Sequence, residues 1–379
     1  MSTAPNVFPS RESAVSIGAN VSMMNFEDNE IRDVLEDPQT IAIAPQMPTS
    51  LIRPLSNENI IPTSALIDNV GWGVQAVRAN KSMLTGNNVL VAILDTGIHT
   101  HRSFEGVEFD EKDFTGQGSM DRNGHGTHCA GILLGRDFDG IRIGVARGVK
   151  RALIGKVLTN EGAGEAHWLF EAILWAIQEQ VDVISLSIGF DVPGLVAKLV
   201  NTGWPVELAT SNALDIYRRN VRLFDALMDL AKIHSGFHGG PIVVAAAGNE
   251  SRRSVDKRFV IGASIPAATE EVISVGALGK RNRELNIAPF SNTSVDIAGP
   301  GVEICSASID GGLVCLDGTS MACPFVAGVA ALHWEHVRNS SLPATSKVVK
   351  SRLMASATID DIATDVAPTD RGVGIATAP

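Results

Sequence analysis

The run Val89-Leu-Val-Ala-Ile-Leu94, closed by Asp95-Thr96-Gly97, decides how the rest of the chain is read. Six successive apolar residues leave no polar face, so a strand here has to be covered on both sides, as inside a parallel sheet. A carboxylate at the C-terminal end of such a strand lies where open α/β sheets place their sites. A turn-capping aspartate is the other reading. The same texture recurs outward. Ala152–Leu158, Val181–Ile188, Ile242–Ala247 and Val272–Leu278 read as strands, and His167–Gln180, Asp215–Ile233 and Ser320–Trp334 as helices. This alternation predicts an α/β fold, a three-layer open, mainly parallel sheet with helices on both faces.

The 379 residues suffice for a large core. Hydrophobic residues at 45% against 19% charged exclude wholesale disorder. Lys+Arg 31 minus Asp+Glu 42 gives −11, with no basic block, which argues against nucleic acid as a partner. No apolar run reaches the ~18 residues of a membrane span. The first 25 residues lack the basic and apolar regions of a signal peptide. A cytoplasmic protein is therefore expected, with secretion by another route as the alternative. Four cysteines are too few for a disulfide framework. Cys305 and Cys315 could pair across a hairpin, but reduced thiols are the default expectation.

Three regions are expected. Residues 1–50 form an N-terminal arm, with a helical pattern at Ile31–Leu35 and an apolar strand at Thr40–Ala44. Residues 51–70 form a linker in a stretch punctuated by Pro48, Pro54 and Pro62. Residues 71–379 form the main domain, with an extended crossover at about 190–241. That crossover reads as a surface insertion; shaping specificity or docking a partner is the other reading.

Chemistry concentrates in a few segments. Glycines flank His125 in Asn123-Gly-His-Gly-Thr-His128 and leave its imidazole reachable. A zinc motif would need His-Glu-x-x-His, and the Glu is missing. His128 fits a hydrogen-bonded structural ring. Ser320, in Asp317-Gly-Thr-Ser-Met-Ala-Cys-Pro324, falls at a helix start, where free N–H groups favour negative charge; an ordinary N-cap serine is the alternative. Ser, His and Asp together supply nucleophile, base and orienter. Asn249, just past the strand at Ile242–Ala247, offers an amide donor for an oxyanion.

Asp95-Thr-Gly, Gly124-His-Gly-Thr-His128, Ala247-Gly-Asn249 and Gly318-Thr-Ser-Met-Ala322 resemble, one after another, the motifs of the subtilisin-like serine proteases. The resemblance spans about residues 71–379 and ends in Gly372-Val-Gly374, similar to a closing Gly-rich strand. It implies a serine endopeptidase working through an acyl-enzyme on an extended peptide or protein substrate, with catalytic Asp95, His125, Ser320 and Asn249. The missing signal peptide and few cysteines suit a narrower variant, a self-processing or dedicated intracellular processing protease. Gly162, Ala163 and Gly164 resemble the edge that pairs with substrate. Ser187, Ile188 and Gly189 resemble one wall of the specificity pocket, and Ser264 its floor. No cofactor or metal is needed for the chemistry. Asp137 and Asp139 lie near a calcium loop of many members, but read as solvated carboxylates. Cys323 stands where a small hydroxyl residue is usual.

Val34-Leu-Glu-Asp-Pro38 followed by Thr40–Ala44 resembles the end of an inhibitory propeptide. On that reading Met47–Asn59 crosses the active site and is cut there, and the chain's own N-terminal segment occupies the cleft. Two alternatives differ in class. A catalytically silent binding or regulatory protein would lack one of the four catalytic positions, and all are filled. An α/β-hydrolase esterase would need Gly-x-Ser-x-Gly with the serine first in chain order.

Overall fold

The computed structural model of the protein describes residues 19–25, 30–55, 57–58, 65–67, 69–234, 239–281 and 284–379. The N-terminal part supplies α1 (Glu30–Glu36), β1 (Pro48–Leu51), β2 (Asn57–Glu58), β3 (Leu66–Ile67), β4 (Val70–Gly71) and α2 (Trp72–Ala76). There follow β5 (Val91–Asp95), β6 (Glu108–Asp113), α3 (His125–Leu134), β7 (Arg151–Lys156), β8 (Ala163–Glu165), α4 (Ala166–Gln178), β9 (Val183–Leu186) and β10 (Ile188–Phe190). The long crossover holds α5 (Val192–Asn201) and α6 (Val206–His234). The rest is β11 (Ile242–Ala246), β12 (Ile273–Arg281), β13 (Glu284–Ile287), β14 (Ile297–Pro300), β15 (Ile304–Ala307), β16 (Leu313–Leu316), α7 (Thr319–Arg338), α8 (Ser346–Ser356) and α9 (Pro368–Arg371).

The central sheet runs β13-β12-β11-β9-β5-β7-β6, with β14 also on β12. Its pairs are parallel except β12–β13. All five residues of β5 are buried, and they divide with period two. Val91 and Ile93 join the core shared with α3, α7 and α8. Ala92 and Leu94 join the core shared with α4, α5 and α6. Two apolar layers against one sheet give the three-layer architecture. Among the described residues, no helix is long and apolar enough to cross a membrane.

Several local expectations are corrected. Thr40–Ala44 is not a strand; it finds no sheet edge, and Ile41 is 65% exposed. The strand of this region is β1, which pairs antiparallel with β10 on one side and β8 on the other. Two flanking edges outweigh the unfavourable Pro48 at its first position, where no ladder N–H is required. The arm's first 18 residues and Pro62 lie outside the described residues. Gly372-Val-Gly374 makes no closing strand. With φ of +56° at Gly372 and +131° at Gly374 the chain bends, and only isolated bridges from Ile375 to Ala298 and Thr358 remain. Cys305 and Cys315 face each other across β15 and β16 and form a disulfide, not the reduced pair expected. Cysteine count cannot reveal this, because cross-strand register decides it.

Candidate active site

Asp95 ends β5 at the C-terminal edge of the sheet and is 1% exposed. Its Oδ1 accepts from the Thr96 N–H at 2.7 Å. His125 opens α3, and its Nδ1 lies 2.8 Å from Asp95 Oδ1 and 3.0 Å from Oδ2. The glycines around His125 have separate reasons. Gly124 adopts φ +97° at the helix cap. A Cβ on Gly126 would lie 2.3 Å from the Gly97 carbonyl oxygen, so only glycine lets helix and strand end approach this closely.

Ser320 is the second residue of α7 and is fully buried. Pro324 lies four residues on and has no N–H to give the Ser320 carbonyl. Ser187 Oγ, at 3.2 Å, and Cys129 Sγ, at 3.4 Å, approach that carbonyl instead. Cys129 Sγ also sits 3.7 Å from His125 Nδ1, so the ring and the serine adjoin the same sulfur. The Ser320 hydroxyl donates to the Ile52 carbonyl at 3.0 Å.

Asn249 follows β11. Its Oδ1 accepts from the Thr319 N–H and hydroxyl, each at 2.9 Å. That fixes which end of the amide faces outward: Nδ2 donates to the Arg53 carbonyl at 3.0 Å. Asn292 holds the same loop, accepting from the N–H groups of Glu250 and Ser251 and donating to the Ala247 carbonyl.

The residues expected to bind substrate gather along β1. Ser50 stands opposite Gly189 and Leu51 opposite Ile188. Thr49 pairs with Gly164 and Ser50 with Ala163. The Leu51 N–H donates to the Gly162 carbonyl at 2.8 Å, and the Ile52 N–H reaches the Ser187 carbonyl at 3.5 Å. A Cβ on Gly189 would lie 3.3 Å from Ser264 Oγ and 3.5 Å from Ile52 Cγ1, so these three converge at one spot. A cavity of about 450 Å³ opens beyond them, lined by Pro54, Leu55, His125 and Ile309 among others.

The sequence reading missed a supporting layer. Asp121, fully buried, accepts from the Thr96 hydroxyl, the Asn123 and Gly124 N–H groups, and both the N–H and hydroxyl of Thr127. It ties the end of β5 to the start of α3. An aspartate four residues before a helix-opening histidine is the local signal that could have found it. Lys156 is fully buried and donates to the Thr96 carbonyl at 2.6 Å; burial pulls its pKa down, against the attraction of Asp121, Asp113 and Asp95.

His128 behaves as a structural ring. Nε2 lies 3.1 Å from the Ile304 carbonyl and 3.0 Å from that of Val314, so the neutral ring holds the β15–β16 hairpin. Burial lowers its pKa to about 3. The Cys323 thiol is pushed up to about 12, again by burial. Asp137 is matched by Arg147 and Asp139 by Arg102. Among the described residues, the cluster of metal-ligating groups is Asp95, His125 and Cys129. Asp95 already holds His125 Nδ1, and burial raises the Cys129 pKa well above the thiol range, so this set suits proton handling better than an ion.

The subtilase family model, Peptidase_S8, matches residues 86–375. The chain belongs to the subtilase family. It is 32% identical over 337 residues to the major intracellular serine protease of Bacillus subtilis (strain 168), covering 86% of this chain and 91% of the relative. It is 30% identical over 286 residues to an intracellular serine protease of Paenibacillus polymyxa, covering 72% and 75%. Subtilisin Savinase of Lederbergia lenta matches at 32% over 270 residues, covering 70% and 84%. This subtilase is a serine endopeptidase with the family's α/β fold and acts on peptide or protein substrates; a catalytically silent relative is not favoured.

Proposed function

We propose that Ser320 is the nucleophile, His125 its general base, Asp95 the orienter of His125, and Asn249 with the Ser320 N–H the oxyanion donors. Ser320 Oγ attacks the scissile carbonyl carbon while His125 Nε2 takes its proton. Asp95 on Nδ1 fixes the tautomer and stabilises the imidazolium. His125 then returns the proton to the leaving amine, and water releases the acyl group by the same steps. Gly162–Gly164 and Ser187–Gly189 hold the substrate strand, and Ser264 floors the pocket. Residues 71–379 form the peptidase domain, with the arm before it.

We further infer that the chain's own residues 48–54 occupy the cleft as a restrained substrate. The supporting observation is that β1 is seated between β8 and β10 and delivers Ile52 to Ser320. By strand register, Ile52 is the residue before the scissile bond. Yet the Ser320 hydroxyl points at the Ile52 oxygen, and Asn249 holds the carbonyl of Arg53, one residue on. With the oxyanion donor out of step, the Ile52–Arg53 bond lacks transition-state stabilisation. Two relatives named as intracellular proteases support an intracellular site of action.

The test is an intact-mass spectrum after a fluorophosphonate probe, beside Ser320→Ala. One adduct on the wild type, absent from the variant and faster once the arm is cleaved off, is expected. An unlabelled protein lacking the arm would overturn the assignment.

A further inference from the structure

We propose that α5 and α6 build a remote substrate site, six to eight residues ahead of the scissile bond, that takes a long apolar side chain and a backbone carbonyl of an extended polypeptide. The proposal rests on the reading of Ile52 as the residue before the scissile bond. Counting back from Ile52, Met47 is the sixth residue and Pro45 the eighth.

The chain's path past β1 carries the argument. Pro48 is still held: its carbonyl accepts from the Asp191 N–H at 3.2 Å, and Asp191 caps α5 through the Gly194 N–H. The Met47 carbonyl accepts from the Ala166 N–H, the first residue of α4, at 3.0 Å. The Met47 side chain is 0% exposed, in the core that contains Leu195 of α5 and Ala213, Phe224, Leu227 and Met228 of α6. An arm resting on a surface would not bury a methionine completely. Met is also the side chain best able to fill an irregular gap.

Asn220 is the second, independent observation. It sits mid-helix in α6 yet is 1% exposed, where an apolar residue would be cheaper to bury. One hydrogen bond from Nδ2 goes back to the Ile216 carbonyl at 2.9 Å, within the helix. The other leaves the helix for the Pro45 carbonyl at 3.0 Å. A buried amide aimed at a main-chain acceptor reads any sequence, because every residue has a carbonyl. The apolar pocket supplies the selectivity. Between them Gln46 meets Glu165 at the end of β8 and His167 on α4. The crossover packs into the second core and extends the cleft beyond the strand-paired part. When the arm leaves, the site is open to substrate, and it favours proteins with an unfolded stretch over short peptides.

The experiment uses the active protein, its N-terminus fixed by mass spectrometry. Two fluorogenic peptides share the four residues before the scissile bond; one is extended to eight with Met at the sixth position, and a third carries Asp there. The Met extension is expected to raise kcat/KM about tenfold or more, and Asp to abolish the gain. In Asn220→Ala the ratio of long to short peptide should fall about fivefold. Equal kcat/KM for all three peptides overturns the proposal. No cleavage of even the four-residue peptide would instead refute the catalytic reading. The site is then judged on full-length Ser320→Ala by limited proteinase K digestion. Adding Met47→Asp or Asn220→Ala should speed release of the arm severalfold, and an unchanged rate overturns the site.

Discussion

Thr96 and Asp121 are joined by a hydrogen bond of 2.9 Å that fastens the end of a strand to the start of a helix. The same Thr96 oxygen accepts from the Gly126 N–H at 2.9 Å, next to His125. The distance from Asp95 to His125 is thus set in part by a hydroxyl and a carboxylate that touch neither side chain. Asp121→Asn puts an NH₂ where only acceptors fit and leaves buried donors unpaired, at about 1–3 kcal/mol each. A lower Tm and a loss of up to ~10² in kcat/KM are expected. A shifted pH–rate profile should accompany them, since mere loss of stability scales the rate without moving the profile.

Removing the oxyanion donor tests another part. Asn249→Leu should lower kcat by ~10²–10³ with little change in KM, as a donor used mainly in the transition state requires. That magnitude is the one known for the corresponding asparagine of subtilisin, a relative of this chain. A rise in KM at unchanged kcat would contradict the assignment.

The arm can be loosened from either partner. Ile52→Glu places a charge beside Gly189 and Ser264 and should speed fluorophosphonate labelling of the full-length chain severalfold. Gly164→Ala acts from the enzyme side. Its Cβ would lie 2.5 Å from Thr49 Oγ1 and 2.8 Å from the Val157 carbonyl. Labelling should again quicken, but KM for peptides should rise if, as proposed, substrate needs the same edge.

Acid should unfold the protein through its buried imidazoles. His128, lowered to about 3, and His333, lowered to about 4, stay neutral in the folded state, while in the unfolded chain each binds a proton near ~6.5. The unfolded state therefore holds more protons between about pH 6.5 and pH 3–4. Stability is complete above pH 6.5 and falls through that window, by a few kcal/mol for His128. Tm measured from pH 7 to pH 4 should drop, and His128→Gln should flatten the slope.

Much of this was legible because the chemistry is local. Asp95 ends an unbroken apolar strand, and Ser320 starts a helix of small residues; both are properties of a few consecutive residues. Where the arm forms its strand was not, because β1 is a strand only by virtue of β8 and β10. Thr40–Ala44 looks more strand-like than Pro48–Leu51 and has no edge to join. Asp121 escaped notice because four of its five donors come from neighbouring residues that any loop offers, and only Thr96 reveals its purpose. The Cys305–Cys315 bridge stayed an open alternative in the sequence because register, not spacing, brings the sulfurs together.

The arm is gripped at two places, by Asn220 and α4 before the active site and by the β2–β16 ladder after it. While the chain is whole, either grip keeps the other at a local concentration in the millimolar range. A single cut between them ends that arrangement, and the upstream piece must then find its seat by diffusion. In a crowded test tube it would rebind; in a dilute compartment it would be lost. On the proposed reading of the arm as a restrained substrate, activation would then depend on how much protein surrounds the cut molecule as well as on the cut itself.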